Sequence, residues 1–260
     1  MSVCKVFYFT TELGQKPVET KALLLYSIAM ISGATLKFSR LIPFLLLFQL
    51  NAFAQTSQDA PGQEALRNYR TGRDLESRGR MSDAEYYYNE AVRICNNEIS
   101  RNVAGQDTYA TLVFTLQRQK KYADVISWGE RGLRLFPDEY RIMETMGEAY
   151  FYLNNHDLSL RFMQRYLNFM PQGERASVAY FFIGEIYRFK NKFLHADIAY
   201  STAVRLEPNV ALWWYRLGSV REAAEDYNEA IDAYGRALRL SPYYPEATEA
   251  YARCRKKSPI

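Results

Sequence analysis

The sequence predicts an all-α fold, an α-solenoid built from a tandem array of helical hairpins. Pro137, Pro171, Pro208 and Pro242 are separated by 34, 37 and 34 residues, and a new helical pattern follows each of them. Glycines recur with the same period, which is typical of repeat architectures. These glycines are Gly72, Gly147, Gly184 and Gly218. Each unit of such an array contacts only its neighbours, so function is expected on an extended surface rather than in one catalytic pocket.

The first 54 residues have the order of a cleavable export signal. From Met30, two cations precede a mostly apolar run at 41–50, and the small residues Ala52 and Ala54 stand where a signal peptidase cuts. The run is too short to span a bilayer as a permanent helix. The sequence therefore predicts a leader at 1–54, with Met30 as the true start of translation and cleavage after Ala54. This leader is expected to direct the protein to the periplasm or cell envelope, or into the medium.

A membrane-anchored protein is the competing interpretation of the leader. A second apolar stretch, at 22–31, precedes the first one, but Lys37 and Arg40 interrupt the two and are costly in hydrocarbon. No cysteine follows the expected cut, so the pattern for lipid attachment is missing. After processing we expect no stable membrane span. Whether residues 1–29 are translated is left open.

After the leader the chain divides into a linker, five units of two helices and a final helix. The linker is short and polar, with Asp59, Pro61 and Gly62, which favours a loop. The predicted segments are linker 55–64, unit one 65–98, unit two 106–139, unit three 140–173, unit four 177–210, unit five 211–244 and a capping helix 245–260. Seven residues, 99–105, are inserted after the first unit. The capping helix is expected to cover the apolar face of the last unit.

The last unit shows why each unit is predicted to be a hairpin. Its landmarks fall three and four residues apart on two helical faces, with a tight turn at 225–228 between them. Pro242 ends the second helix because proline lacks an N–H and clashes with the preceding turn. The landmarks are Trp214, Leu217, Gly218, Ala230, Tyr234 and Ala237. This pattern resembles the tetratricopeptide repeat, a helix-turn-helix unit of 34 residues, and the resemblance implies a right-handed solenoid.

The other units match the repeat to different degrees. Unit four resembles it nearly as well as unit five, whereas unit three has the large Tyr166 where alanine is usual. Unit two is degenerate: Val113 takes the glycine slot, and Gly129 and Gly132 replace an aromatic residue and an alanine. Glycine inside a helix costs roughly 1 kcal/mol relative to alanine. We therefore expect Gly129 or Gly132 to accept a bulky side chain from the following unit.

The residues of catalytic, metal or nucleic-acid sites are not found in a recognisable pattern. Only two histidines occur, and neither metal-ligand spacing nor a glycine-rich phosphate loop is present. Of the 33 basic and 29 acidic residues, 28 and 27 lie after residue 54, so no clustered charge for nucleic acid is expected. We expect no enzyme activity, no cofactor, no metal and no nucleic-acid partner.

The resemblance implies that the first helices of successive hairpins line a concave groove that holds a peptide or helix of another protein. The predicted groove residues are aromatic and acidic, and aromatic rings give large contact area at small entropy cost. They are Tyr69, Arg73, Phe114, Glu144, Glu148, Tyr152, Phe181, Glu185, Phe189 and Tyr215. The carboxylates are expected to select Lys or Arg on a ligand. Several of the rings would alternatively fill gaps between neighbouring helices.

Three functions remain open at this point. The first is a non-enzymatic scaffold or adaptor for protein–protein interaction in the cell envelope. The second is a structural component that associates with itself, and the third is a small-molecule-binding accessory of an uptake system with an aromatic pocket. The sequence does not name the partner, and it leaves the oligomeric state open.

Overall fold

A computed structural model describes residues 60–258, which belong to one compact unit. The expected leader, at 1–54, and most of the linker lie outside the described residues. Within 60–258 the chain forms eleven helices and no strand, which confirms the all-α solenoid and its capping helix. The helices are α1 (Gln63–Ser77), α2 (Met81–Ser100), α3 (Gln106–Arg118), α4 (Tyr122–Leu135), α5 (Tyr140–Tyr152), α6 (His156–Phe169), α7 (Ala176–Phe189), α8 (Phe193–Leu206), α9 (Ala211–Ala223), α10 (Tyr227–Leu240) and α11 (Pro245–Lys257).

The ends of the second helices are determined by proline. In hairpins two to five the second helix ends two residues before the proline, and the residue between is extended. Phe136 before Pro137, for example, has φ −130° and ψ 77°, and Glu207 before Pro208 has φ −136° and ψ 86°. Proline disfavours helical geometry in the residue that precedes it. The sequence therefore sets the length of each hairpin.

The turn inside every hairpin uses one left-handed residue. In hairpin one this residue is Gly79, with φ 75°. In the other four it is not glycine, and the residues with their φ values are Lys120 (58°), Asn154 (59°), Asn191 (55°) and Glu225 (64°). Asparagine tolerates this region better than most residues. Five similar turns give five similar hairpins, and so a regular stack.

The first helices form the inner layer of the stack. Packing connects α1 to α3, α3 to α5, α5 to α7 and α9 to α11, in addition to the contacts within and between adjacent hairpins. Successive second helices within residues 60–258 do not pack in this way. Because the first helices are closer together, the array curves toward them. The concave face is therefore lined by α1, α3, α5, α7 and α9.

A glycine opposite a large side chain fixes the spacing of the two helices in four hairpins. A Cβ added at Gly72, Gly184 or Gly218 would lie 2.6 Å from a tyrosine ring sixteen residues further along the chain. The three rings belong to Tyr88, Tyr200 and Tyr234, and all are buried. In hairpin three the corresponding side chain is Met163, whose Cε would lie 3.0 Å from a Cβ at Gly147. Any larger residue at these glycines would push the helices apart.

In hairpin two the larger residue lies on the first helix and the glycine lies on the second helix. Val113 is fully buried on its first helix, and Gly129 lies where the other hairpins have a tyrosine or methionine. A Cβ at Gly129 would meet Met146 Sδ at 2.5 Å, and a Cβ at Gly132 would meet Ile142 Cδ1 at 2.7 Å. Both side chains come from α5 of the next hairpin. This confirms the expectation that these glycines accept bulky groups from the following unit.

Two helices of the first hairpin are longer than the sequence indicated. α1 begins at Gln63, inside the stretch interpreted as a linker, and α2 continues to Ser100, into the predicted insertion. The N–H of Gly62 donates to Glu98 Oε1 at 3.0 Å, which attaches the start of α1 to the end of α2. Ile99 is buried in the core, so the extra turn of α2 is stabilised by burial of an apolar side chain.

The last helix covers the final hairpin. Ala247, Ala250 and Cys254 on α11 are buried, and Ala250 and Cys254 pack against Ala230 and Tyr234 of α10. The two described cysteines, Cys95 and Cys254, are both free buried thiols. The opposite side of α11 carries cations in its last turn, where positive charge interacts favourably with the helix dipole.

We predict opposite effects for two glycines of the last hairpin. Gly218→Ala should lower the free energy of unfolding by about 1–3 kcal/mol, because its Cβ would overlap the Tyr234 ring. Gly235→Ala should raise it by roughly 0.5–1 kcal/mol, since its nearest neighbour would be 3.7 Å away and alanine favours a helix. Urea denaturation of both variants checks this, and equal effects would contradict the steric explanation.

Candidate partner-binding surface

The ten predicted groove residues all lie on first helices. α1 carries Tyr69 and Arg73, α3 carries Phe114, and the rest lie on the next three first helices. Those remaining residues are Glu144, Glu148 and Tyr152 on α5, Phe181, Glu185 and Phe189 on α7, and Tyr215 on α9. The structure thus brings them to one layer, but it places them in different environments. Whether they contact a partner stays a prediction.

Four of the predicted rings are half-buried and pack against other rings of the chain. The ring centroids of Tyr69 and Phe114 are 5.8 Å apart. Phe181 stacks on Trp213 at 5.3 Å, across the junction of hairpins four and five. Tyr215 lies 5.0 Å from Tyr244. These rings fill gaps between neighbouring helices, as the alternative interpretation expected.

The other two rings are exposed and belong to a larger group that we call the ring cluster. Tyr152 is 49% exposed and Phe189 is 53% exposed. Phe151 and Phe182 lie between them, with Phe151 5.0 Å from Phe182 and 6.0 Å from Phe189. Tyr122 stacks on Tyr152 at 4.8 Å. The ring cluster, Tyr122, Phe151, Tyr152, Phe182 and Phe189, extends over hairpins two to four, and it runs from the buried Phe182 to the exposed Tyr152 and Phe189.

The predicted carboxylates are bound by arginines of the chain itself. Arg175 Nη2 donates to Glu144 Oε1 at 2.8 Å and also to Glu148. Arg216 lies 3.0 Å from Glu185 Oε1, and Arg188 donates to Glu185 Oε2 at 2.7 Å. Two similar pairs occur at the ends of the array. These are Arg118 with Glu76 at 2.6 Å, and Arg253 with Glu222 at 2.6 Å.

We call Glu76–Arg118, Glu144–Arg175, Glu185–Arg216 and Glu222–Arg253 the inter-hairpin ion pairs. In each, the carboxylate lies on a first helix and the arginine comes from a following hairpin or the capping helix. The arginine is the more exposed partner: the Arg175 side chain is 50% exposed and that of Glu144 6%. The carboxylates of the expected acidic patch are thus paired with more exposed guanidinium groups, and whether they meet a ligand stays a prediction.

Tyrosine hydroxyls join the ion pairs to the core of three hairpins. The hydroxyl of Tyr88 donates to Glu76, that of Tyr200 to Glu185, and that of Tyr234 to Glu222 at 2.9 Å. These are the same tyrosines that pack on the glycines. The hydrogen bond from Arg253 and the one from Tyr234 outweigh the effect of partial burial and lower the pKa of Glu222. Burial, followed by the nearby Glu222 carboxylate, raises the pKa of the Tyr234 hydroxyl.

Glu144 is an exception among these carboxylates. Complete burial, and then the neighbouring carboxylate of Glu148, raises the pKa of Glu144 well above its ordinary value, although Arg175 acts in the opposite direction. A carboxyl group in this position resists ionisation, because its charge is removed from water beside a second charge of the same sign.

The arginines are the site residues that the sequence interpretation missed. Three of the four lie 31 residues after their carboxylate, from Glu144 to Arg175, from Glu185 to Arg216, and from Glu222 to Arg253. This offset is three residues shorter than the 34-residue repeat, so each arginine lies about one helical turn earlier in the next unit. A search for opposite charges separated by nearly one repeat would have found them.

A cavity of about 570 Å³ opens at the turn between hairpins two and three. Asp107, Glu139 and Arg141 line it, and Arg141 Nη2 donates to both carboxylates at 2.7 Å. Its volume is that of a small-molecule site. None of the ten predicted groove residues lines it, so it is not the aromatic pocket that the small-molecule hypothesis places in the groove.

Metal clusters and membrane spans are both absent from residues 60–258. No three His, Cys, Asp or Glu side chains lie together there in a way that could hold a metal ion. In the same part of the chain, every helix is too short or too polar to cross a bilayer.

The fold is that of a helical-repeat protein with an extended inner face. A family model described as tetratricopeptide repeat matches residues 177–210, and a second one matches residues 211–244. These matches support a tetratricopeptide repeat protein, and repeats of this kind support a scaffold for protein–protein interaction.

Three comparisons with known proteins agree with this fold. Human protein O-mannosyl-transferase TMTC1 is 26% identical to this chain over 165 residues. These residues are 63% of this chain but 18% of that protein, so the match spans about a fifth of the length of this curated relative. The structure of the APC/C hetero-tetramer Cut9-Hcn1 aligns with a TM-score of 0.60 at 15% identity over 73% of this chain and 36% of the other. The structure of MamA 41-end from Desulfovibrio magneticus RS-1 aligns with a TM-score of 0.56 at 17% identity. The alignment covers 70% of this chain and 98% of the other.

We predict that Glu144→Gln stabilises the protein as pH rises. The folded pKa of Glu144 is above the unfolded value of 4.5, so ionising it costs stability as pH rises through the folded pKa, and glutamine removes this cost. The melting temperature of the variant should exceed that of the wild type at about pH 8, by more than near pH 4.5. Glu90→Gln, at an exposed pair with Arg93, is the control and should change little. An equal difference in melting temperature between variant and wild type at both pH values would contradict the raised pKa of Glu144.

Proposed function

We propose that this tetratricopeptide repeat protein is an exported, non-enzymatic adaptor that holds a peptide or helix of another envelope protein against its concave face. The observation that carries the proposal is the ring cluster, in which two large aromatic side chains of the first-helix layer are about half exposed. Contiguous exposed apolar surface is unusual in soluble proteins and often marks an interaction site. Aromatic residues also dominate the binding energy of interfaces.

The ring cluster is suited to binding because its rings are held in place. Tyr152 is stacked on Tyr122, and Phe189 contacts Phe151 and His156, with the guanidinium of Arg188 4.5 Å from its ring centre. Rings that are already ordered lose little conformational entropy when a partner covers them. A ligand side chain could therefore pack between Tyr152 and Phe189 at small entropic cost.

The proposed location depends on the sequence of the leader, which lies outside the described residues. The apolar run at 41–50 and the small residues Ala52 and Ala54 support export and cleavage. In this location the partner would be another exported protein or the extracytoplasmic part of a membrane protein.

Site-specific photocrosslinking in the native cells tests the adaptor function. A photoreactive phenylalanine analogue at Tyr152 or Phe189 should form covalent adducts with a partner protein. The same analogue at Leu194 on α8, which is 74% exposed on a second helix, is the matched control and should form few. Adducts of equal yield from all three positions, or from Leu194 alone, would contradict binding on the concave face.

We predict that removal of the two exposed rings weakens partner binding. Tyr152→Ala with Phe189→Ala should reduce the amount of captured partner by about tenfold or more, because aromatic anchors contribute roughly 2 kcal/mol or more each at an interface. Leu194→Ala should leave capture unchanged. Circular dichroism must show the same helicity in both variants. Undiminished capture by the double variant would remove the ring cluster from the interface.

We predict that the exported protein begins at Gln55. Amino-terminal sequencing of the protein isolated from the envelope or medium should read Gln-Thr-Ser-Gln-Asp, from residue 55 onward. A chain that retains residues 41–50 and sediments with membranes would instead support the anchored alternative.

A further inference from the structure

The inter-hairpin ion pairs present one kind of charge to the groove. In all four pairs the guanidinium is more exposed than the carboxylate, and the difference persists from hairpin one to the capping helix, where Arg253 is 51% and Glu222 15% exposed. A ligand in the groove therefore meets the cation first. The buried carboxylates hold each arginine in position and partly neutralise it.

The geometry of three arginines leaves hydrogen-bond donors unused. Arg118, Arg175 and Arg253 each bind their carboxylates through Nε and Nη2. Within residues 60–258, the hydrogen bonds of these three side chains use Nε and Nη2 and not Nη1. A guanidinium has five N–H groups in a fixed planar arrangement, so Arg118 and Arg253 keep a second edge that matches a carboxylate. Arg175, whose Nη2 donates to both Glu144 and Glu148, keeps only the two N–H groups of Nη1.

The charges of three arginines act on the hydroxyl of one tyrosine in the first-helix layer. The positive charges of Arg73, Arg118 and Arg175 each act to lower the pKa of Tyr69, although burial is the larger effect and raises that pKa overall. Arg73 lies on α1 and also packs 6.0 Å from the Tyr69 ring. An anionic group placed beside the Tyr69 hydroxyl would therefore interact favourably with three cations.

The charge balance of the groove agrees with this arrangement. The charged residues of the predicted groove, together with the residues that pair with them, are six arginines, Arg73, Arg118, Arg175, Arg188, Arg216 and Arg253, and five glutamates, Glu76, Glu144, Glu148, Glu185 and Glu222. Burial and the neighbouring Glu148 raise the pKa of Glu144. This set holds one more arginine than glutamate, and in each inter-hairpin ion pair the arginine is the more exposed partner.

We propose that the partner segment held in the groove is acidic, and that glutamate or aspartate side chains along it bind the free edge of Arg118, the Nη1 group of Arg175 and the side chain of Arg73. Its apolar side chains would pack on the ring cluster. This inference rests on the proposed adaptor function and names the chemistry of the ligand. Because the arginines recur over several hairpins, internal acidic side chains fit them, and a terminal carboxylate is not required.

Fluorescence anisotropy with designed peptides tests the inference on the full chain. The probes are labelled peptides of about twelve residues, which span roughly 40 Å when extended. Each contains two phenylalanines, and its remaining side chains are mainly glutamate, glutamine or lysine in three matched versions. All are acetylated and amidated, so no terminal charge contributes. We expect the glutamate peptide to bind about tenfold more tightly than the glutamine peptide, with the difference decreasing at high salt.

The variant Arg73→Gln should weaken binding of the glutamate peptide by about three- to tenfold, and it should leave binding of the glutamine peptide unchanged. Arg131→Gln is the matched control, because Arg131 also packs over a ring, that of Trp128 at 5.2 Å, but lies on the second helix α4. It should leave both affinities unchanged. Both variants should melt as the wild type does.

The outcomes separate this inference from the adaptor function. Tighter binding of the lysine peptide, equal binding of all three peptides, or an equal effect of Arg131→Gln would overturn the acidic ligand while leaving a groove that binds peptides. Binding of no peptide at about 1 mM would also overturn the acidic ligand. The adaptor function would then fail only if the photocrosslinking experiment failed as well.

Discussion

The contact of a glycine with a large side chain sixteen residues later is the constraint on which the rest of the structure depends. At Gly72, Gly184 and Gly218 the first helix has no side chain, and a tyrosine ring of the second helix fills the space. This brings the two backbones of a hairpin close together. It also fixes how far the first helices stand from those of the next hairpin, and so the curvature that makes the concave face.

The same tyrosines connect packing with charge. The ring of Tyr200 on α8 fills the space at Gly184 on α7. Its hydroxyl donates to Glu185, the residue that follows Gly184 on α7. Glu185 in turn binds Arg216 of the following hairpin. A buried carboxylate is costly unless it is paired and hydrogen-bonded, and here both requirements are met by residues of two adjacent repeats. The array is thus held together by polar contacts as well as by apolar burial.

The regular features of the fold could be predicted from the sequence, because they depend on local chemistry. Pro242 ends a helix whichever residues surround it, and Gly218 marks a close approach of helices because it recurs with the period of the repeat. The charge of the candidate surface could not be predicted in the same way. Counting Glu144 and Glu185 as groove residues places them correctly on first helices, but their partners come from other repeats, and only the distance in space between helices decides which atom faces water.

The exchanged sizes in hairpin two have a consequence for how the array unfolds. Met146 and Ile142 of hairpin three occupy the space at Gly129 and Gly132, so neither hairpin can melt without exposing the core of the other. The other hairpins each fill their own glycine site from within. Hairpins two and three should therefore open as a single cooperative element, and neither can be deleted, duplicated or replaced by a consensus repeat unless both are exchanged together.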